Sequence, residues 1–316
     1  MSATAPGATP WYSDQHITLY LGDAATTLAL LPPGSVDCIV TSPPYWRTRD
    51  YEGVPEQLGQ ETTAETYIEA LRAVFTAAHR VLADNGTLWL NLGDRYAPHS
   101  DARPRPKNLL GLPWRVALAL QEDGWLLCNE IVWHKPNAVP ESVRDRLSRR
   151  HEHLFLLTKQ PAYHFDLDPI RQPYTGDRAL SRRAHRTANK PNTATGIWPP
   201  TSLCSEALGP NLQPTRARHT VAHLKGRNPG TVWDIATRPT RHAHTAAFPI
   251  DMPLRCIASG CRPGGTVSDL FSGSGTTGDA ALQLGRAYVG IDIVERYHQH
   301  ALARLPAAAA RSNEAQ

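Results

Sequence analysis

The stretch from Gly265 to Asp292 constrains the fold more than any other part of the 316-residue chain. Gly265-Thr-Val-Ser-Asp269 has the pattern of a short buried strand, and Leu270-Phe-Ser-Gly-Ser-Gly-Thr-Thr-Gly278 that of a glycine-rich turn. A helix to about Leu284 then leads into a second strand, Ala287-Tyr-Val-Gly-Ile-Asp292. Strand, crossover helix and strand make a βαβ unit, which requires a parallel pair. Gly273-x-Gly275-x-x-Gly278, with Asp292 closing the next strand, also matches the dinucleotide fingerprint. Asp269 argues against NAD, because a carboxylate at the first strand end opposes a pyrophosphate on the helix N-terminus. A ligand with a cationic end and a ribose fits better. S-adenosyl-L-methionine is such a ligand, with Asp269 toward its ammonium group and Asp292 toward its ribose hydroxyls. The glycines let the backbone approach it closely.

The same alternation runs through the first half. Strands are predicted at Ile17–Leu21, Val36–Val40, Thr87–Asn91, Trp125–Trp133 and Leu154–Thr158. Helices are predicted at Ala24–Leu31, Thr63–Leu82 and Leu109–Glu122, with Asn85-Gly86 read as the αL cap of the second. The Val36 strand runs straight into Thr41-Ser42-Pro43-Pro44-Tyr45-Trp46. Two prolines permit neither ladder nor helix, so the chain forms a stiff turn that should leave Tyr45 and Trp46 exposed. A rigid carbonyl between the Ser42 hydroxyl and the Tyr45 ring suits a planar, amine-bearing group. A proline-rich turn with a tucked-in aromatic pair fits those six residues equally well.

From about Gln160 to Arg241 the periodicity stops. Residues 171–245 hold 12 Lys/Arg against 3 Asp/Glu, leaving 21 against 26 elsewhere, so a +9 segment sits on a −5 remainder. Such an asymmetry points to a polyanionic partner, or to a solvated loop. The five cysteines (Cys38, Cys128, Cys204, Cys256, Cys261) form no C-x-x-C pair, so reduced thiols are expected. His151/His153 and His242/His244 have no Cys or carboxylate set at metal spacing, and no metal is expected. No apolar run approaches the roughly 20 residues of a membrane span. MSATAPGATPWYSDQ lacks the regions of a signal peptide, so a cytoplasmic location is expected.

TSPPYW followed by DLFSGSGTTG resembles the amino-DNA methyltransferases of the β arrangement. VDCIVTSPPYW, GTLWLNLGD, GWLLCNEIVWHKPN, HEHLFLLTK, HTAAFPIDMP, DLFSGSGTTG and YVGID occur in that family's order. The resemblance implies a Rossmann-like, seven-stranded, mostly parallel α/β sheet, circularly permuted so that the donor-binding strands come last. It divides the chain into a leader (1–15), a catalytic half (16–160), a target-recognition insertion (161–243), a donor-binding half (244–305) and a flexible tail (306–316). It implies direct methyl transfer from S-adenosyl-L-methionine to an exocyclic amine of a flipped base in double-stranded DNA. Ser42, Pro43, Pro44 and Tyr45 would then be catalytic. Asp23, Phe248, Pro249, Asp269, Phe271, Gly273, Gly275, Thr276, Thr277 and Asp292 would bind the donor. Trp46, Lys135, Asn137, Arg182, Arg183, Arg186, Arg216 and Arg218 would contact DNA. Ser42 preceded by Thr41 resembles the cytosine-N4 group, whereas adenine-N6 enzymes more often carry Asp or Asn there. Without a Pro-Cys dipeptide, cytosine C5 chemistry is disfavoured. A non-catalytic DNA-binding relative and an NAD-dependent oxidoreductase are the rivals from other classes. A separately acting cognate endonuclease, and a monomer or homodimer, are both compatible with the resemblance.

Overall fold

Strand β3 (Val36–Thr41) alternates as a strand covered on both faces must. Ile39 enters one apolar cluster, while Cys38 and Val40 enter the other. The computed structural model describes residues 9–51, 53–54, 56–98, 105–173, 224–238 and 248–314. Before β3 come β1 (Tyr12–Ser13), β2 (Ile17–Leu21) and α1 (Ala24–Leu30). After it come α2 (Ala64–Val81), β4 (Leu82–Leu92), α3 (Leu112–Glu122), β5 (Leu126–His134), β6 (His151–Thr158) and β7 (Val232–Asp234). The last third supplies α4 (Asp251–Gly260), β8 (Thr266–Asp269), α5 (Thr276–Gln283), β9 (Ala287–Asp292) and α6 (Glu295–Glu314). Among the described residues, no helix is long and apolar enough to cross a membrane.

The sheet runs β1-β2-β9-β8-β3-β4-β6-β5-β7. It has nine strands where seven were expected. The additions, β1 and β7, are two and three residues long, too short to show a period in sequence. β6 pairs antiparallel with both β4 and β5, and the central pairs β2–β9, β9–β8, β8–β3 and β3–β4 are parallel. The helices α1, α2 and α3 cover one face, with Tyr67, Ile68, Leu71, Val74, Phe75 and Ala78 forming the buried stripe of α2. Met252, Cys256 and Ile257 of α4, with Ala280 and Ala281 of α5, cover the other.

Two boundaries differ from the expectation. The helix α2 stops at Val81 on an extended Leu82, and β4 passes through Asn85-Gly86 without an αL residue. Gly86 is there for a close approach, since a Cβ would lie 2.8 Å from the Asp37 carbonyl oxygen. The final helix runs on to Glu314, past residue 305, where the donor-binding half was expected to end. Within the basic segment, Gln172 and Arg227 exchange backbone hydrogen bonds (3.0 and 2.8 Å), and β7 continues from there along β5.

Candidate active site

The connection from β3 moves to β4 on one side, and the connection from β8 moves to β9 on the other. The gap between β3 and β8 is thus the switch point of the sheet, where the ends of parallel strands leave a crevice. Both motifs singled out in the sequence open into it. The Thr41 Oγ1 hydroxyl donates to Asp269 Oδ1 at 2.7 Å, joining segments 228 residues apart.

Asp269 is a buried hub. Besides Thr41 it accepts from Thr277 Oγ1 (2.6 Å) and from the Phe271 backbone N–H (3.1 Å). Burial pushes its carboxyl up to about 6, against those three donors, which lower it. Asp292 sits at the end of β9, accepting from Gly273 N (2.7 Å) and Val294 N (2.9 Å). Burial pushes it to about 6 as well, and the neighbouring Asp269 charge adds to the effect. Between them the turn closes on Gly275, whose left-handed backbone (φ 77°) opens α5 and suits a residue without a side chain. Gly278 lets α5 lie on β9, since a Cβ would stand 2.6 Å from the Tyr288 ring.

The other motif is braced from beneath. Tyr67 Oη donates to the Pro44 carbonyl (2.9 Å), so Pro43 has the carbonyl that this turn can offer. The Tyr45 hydroxyl accepts from Asn91 Nδ2 (2.8 Å) and Ser42 Oγ (3.3 Å), and donates to Glu152 Oε2 (2.8 Å). Burial first, then the Glu152 charge, pushes the Tyr45 phenol well above its ordinary range, which keeps it a donor. Asn91 Nδ2 also reaches Glu152 Oε2 (2.9 Å), and Glu152 Oε1 holds the Lys135 ammonium.

These two groups line one cavity of about 430 Å³. Asp23, Phe248, Asp269, Phe271, Gly273, Thr276 and Asp292, which the sequence led one to expect at a donor, line it together with Ser42, Pro43, Pro44, Tyr45 and Lys135. Over residues 36–303 the chain matches the N6/N4 DNA methylase family. It belongs to that family. Over 309 residues this DNA methylase is 38% identical to the Type II methyltransferase M.Cfr9I of Citrobacter freundii, covering 91% of this chain and 87% of that protein. It is 37% identical to M.SmaI of Serratia marcescens over 308 residues, covering 91% and 90%. The PvuII DNA methyltransferase, titled cytosine-N4-specific, shares the fold at a TM-score of 0.65 and 16% identity, covering 98% and 97%.

DNA methylases of this family take their methyl group from S-adenosyl-L-methionine. The residues present fit that donor. The cavity lies within the roughly 300–1,000 Å³ of small-molecule sites. Asp269 and Asp292 put two carboxylates on its wall, which suits a cationic ligand, and Phe248 and Phe271 also line it. The buried Ser272 also lies on the wall.

Other expected site residues play different parts in the methylase. The exposure expected after the proline turn does not extend to Trp46, which is corrected from a DNA contact to a core residue. It is 2% exposed, and its indole donates to the Glu61 carbonyl (2.8 Å) beside the Arg47–Gly59 backbone bond (2.6 Å). Trp46→Ala is therefore expected to cost about 3–5 kcal/mol, read from the urea midpoint. Thr277 serves Asp269, Gly275 caps α5, and the Pro249 carbonyl accepts from Met252 N (3.1 Å) at the start of α4. Asp23 caps α1 through Thr26 N (2.9 Å) while lining the cavity. The Asn137 amide is engaged with Thr237, whose carbonyl and N–H it meets at 2.8 Å each. Arg182, Arg183, Arg186, Arg216 and Arg218 lie outside the described residues.

Asn91, Trp133 and Glu152 line the cavity without having been assigned a part from sequence. Glu152 is the second residue of β6, and because β6 is antiparallel its first residues lie beside the C-terminal end of β4, with Leu92 opposite His153. A polar Asn closing the apolar run Leu88-Trp89-Leu90 was the available signal for Asn91.

Proposed function

We propose that this DNA methyltransferase modifies N4 of a cytosine that has left the stack of double-stranded DNA. The observation that carries the reading is the meeting of Ser42, Pro43 and Tyr45 with Asp269 and Asp292 on one cavity. A base must be extruded for its exocyclic amine to reach a donor held in such a crevice. The Tyr45 ring offers a stacking plate, and the Ser42 hydroxyl and Pro43 carbonyl accept the amine hydrogens. Two such acceptors hold the nitrogen lone pair out of conjugation with the ring. S-adenosyl-L-methionine, when bound, supplies the electrophilic methyl carbon. Asp292 holds the ribose, Asp269 contributes negative charge near the cationic end, and Phe248 and Phe271 border the adenine and methionine. The protein's contribution is orientation and placed charge. The arginines of the basic insertion are assigned to DNA phosphates and base edges on charge alone.

Cytosine is favoured over adenine by Ser42, whose Thr-Ser pair resembles the cytosine-N4 group. Nucleoside mass spectrometry of DNA from an expressing host is expected to show N4-methylcytosine. N6-methyladenine without N4-methylcytosine would overturn the base assignment and leave the methyltransferase standing.

Donor binding should depend on pH. Both carboxyls bind protons more tightly in the folded protein (about 6) than at their ordinary value of 3.8. Their contribution to stability is therefore fully present below about pH 4 and is lost as pH rises through about 6. A cationic ligand reverses that preference, because it favours the ionised form. Calorimetry is expected to give S-adenosyl-L-methionine a weaker Kd at pH 5 than at pH 7, by about tenfold for each of the two carboxyls that the ligand requires ionised. Equal affinity at both would remove Asp269 and Asp292 from the donor site.

A further inference from the structure

The wall opposite the donor carries an ion pair that the transfer itself does not require. The Lys135 and Glu152 side chains are only 20% and 16% exposed. Two charges so nearly withdrawn from water carry a desolvation cost that their attraction does not reliably offset. Two contacts fix where the Lys135 ammonium stands. Glu152 Oε1 holds it, the Trp133 ring lies beneath it at 4.3 Å, and both of those residues also line the cavity. Through Glu152 Oε2 the same carboxylate grips the Tyr45 hydroxyl and Asn91. A continuous line of contacts thus runs from Ser42, through Tyr45 and Glu152, to Lys135.

An ammonium group has three N–H donors, and Glu152 is its acceptor among the described residues. Asn91 is a further polar residue on this wall. The carboxylate of Glu152 fixes which way the Asn91 amide faces, because only the NH₂ end can approach it. Its Oδ1 is then a buried acceptor without a partner among the described residues, on a side chain 2% exposed.

The chemistry of a base edge says what Lys135 can read. A cytosine whose amine sits at Ser42 and Pro43 presents two acceptors beyond it, N3 and the O2 carbonyl. An adenine placed the same way presents N1 and then a C–H. A donor at the far end of the line rewards the carbonyl and leaves the C–H without a partner. We propose that Lys135, oriented by Glu152 and Trp133, donates a hydrogen bond to O2 of the extruded cytosine and is a specificity-determining residue. This rests on the cytosine reading above and supplies a physical basis for it.

The test compares duplexes carrying cytosine or 2-thiocytosine at the methylated position, whose sulfur is a poor acceptor. Wild-type protein with S-adenosyl-L-methionine is expected to prefer cytosine about 10- to 100-fold in kcat/KM. In Lys135→Met that ratio should collapse toward one, and Lys135→Arg, which retains donors, should restore a preference. A role confined to holding the pocket together would slow both substrates equally and leave the wild-type ratio intact, overturning the proposal. A wild-type ratio near one overturns it without any variant. Calorimetry with S-adenosyl-L-methionine certifies that the Met variant is folded, and Lys135→Ala with the same readout replaces it if it is not. Failure of the cytosine reading itself is seen separately, as wild-type product lacking N4-methylcytosine.

Discussion

Tyr45→Ala is expected to lower kcat/KM for DNA methylation by about 10³-fold while leaving the Kd for S-adenosyl-L-methionine within about twofold. Stacking of a base on an aromatic ring is worth about 1–3 kcal/mol, and that surface disappears. Misplacing the amine by about 1 Å costs a further 10²-fold. The donor side is untouched, because Asp269 and Asp292 draw their hydrogen bonds from Thr41, Thr277 and the backbone of the glycine turn and of Val294. Tyr45→Phe separates ring from hydroxyl. It keeps the plate but deprives Asn91 and Ser42 of an acceptor and Glu152 of a donor. A loss of about tenfold is expected, from the roughly 1–3 kcal/mol of an unsatisfied buried group. Steady-state kinetics and calorimetry on the three proteins decide the matter. Equal losses for Phe and Ala would move the role from the ring to the hydroxyl, and wild-type rates for Ala would remove Tyr45 from the site.

What could be read in sequence was what short stretches encode locally. The glycine turn announces itself through Gly273, Gly275 and Gly278, and the Pro43-Pro44 turn through its missing donors. Each follows a strand, and in the folded sheet those two strands are neighbours. The contact between them, Thr41 to Asp269, has no local signature, because it depends on which strands become neighbours. The Lys135–Glu152–Asn91 group was hidden for the same reason. Its members stand on three elements and meet only because β6 runs antiparallel between β4 and β5, bringing Glu152 opposite Trp133. Trp46 was misplaced because exposure after a proline turn was inferred from the turn alone. The backbone of Gly59 and Glu61 folds over it and gives its indole a partner. Long-range contacts decided these cases, and the local pattern was silent on them.

Gly93→Ala, a single methyl group outside the cavity wall, is expected to lower kcat/KM by about 10²-fold. A Cβ at position 93 would stand 2.6 Å from Tyr45 Cε2 and 3.0 Å from Cδ2, closer than a carbon and a ring can approach. Gly93 is not among the positive-φ residues, so alanine fits its backbone and the effect is steric. The ring has little freedom to yield. Its hydroxyl is held by Asn91, Glu152 and Ser42, and its backbone is followed at once by the buried Trp46 anchor. Tilting the ring breaks those bonds, while leaving it in place overpacks the site at about 1–3 kcal/mol. Donor affinity should stay within about twofold, since Asp269, Phe271 and Asp292 lie across the cavity. The double variant with Tyr45→Ala makes the argument specific. If Gly93→Ala acts through the ring, the two losses will not add, and the double variant will methylate like Tyr45→Ala alone. A further 10²-fold loss in that background would show that Gly93 acts through something other than Tyr45.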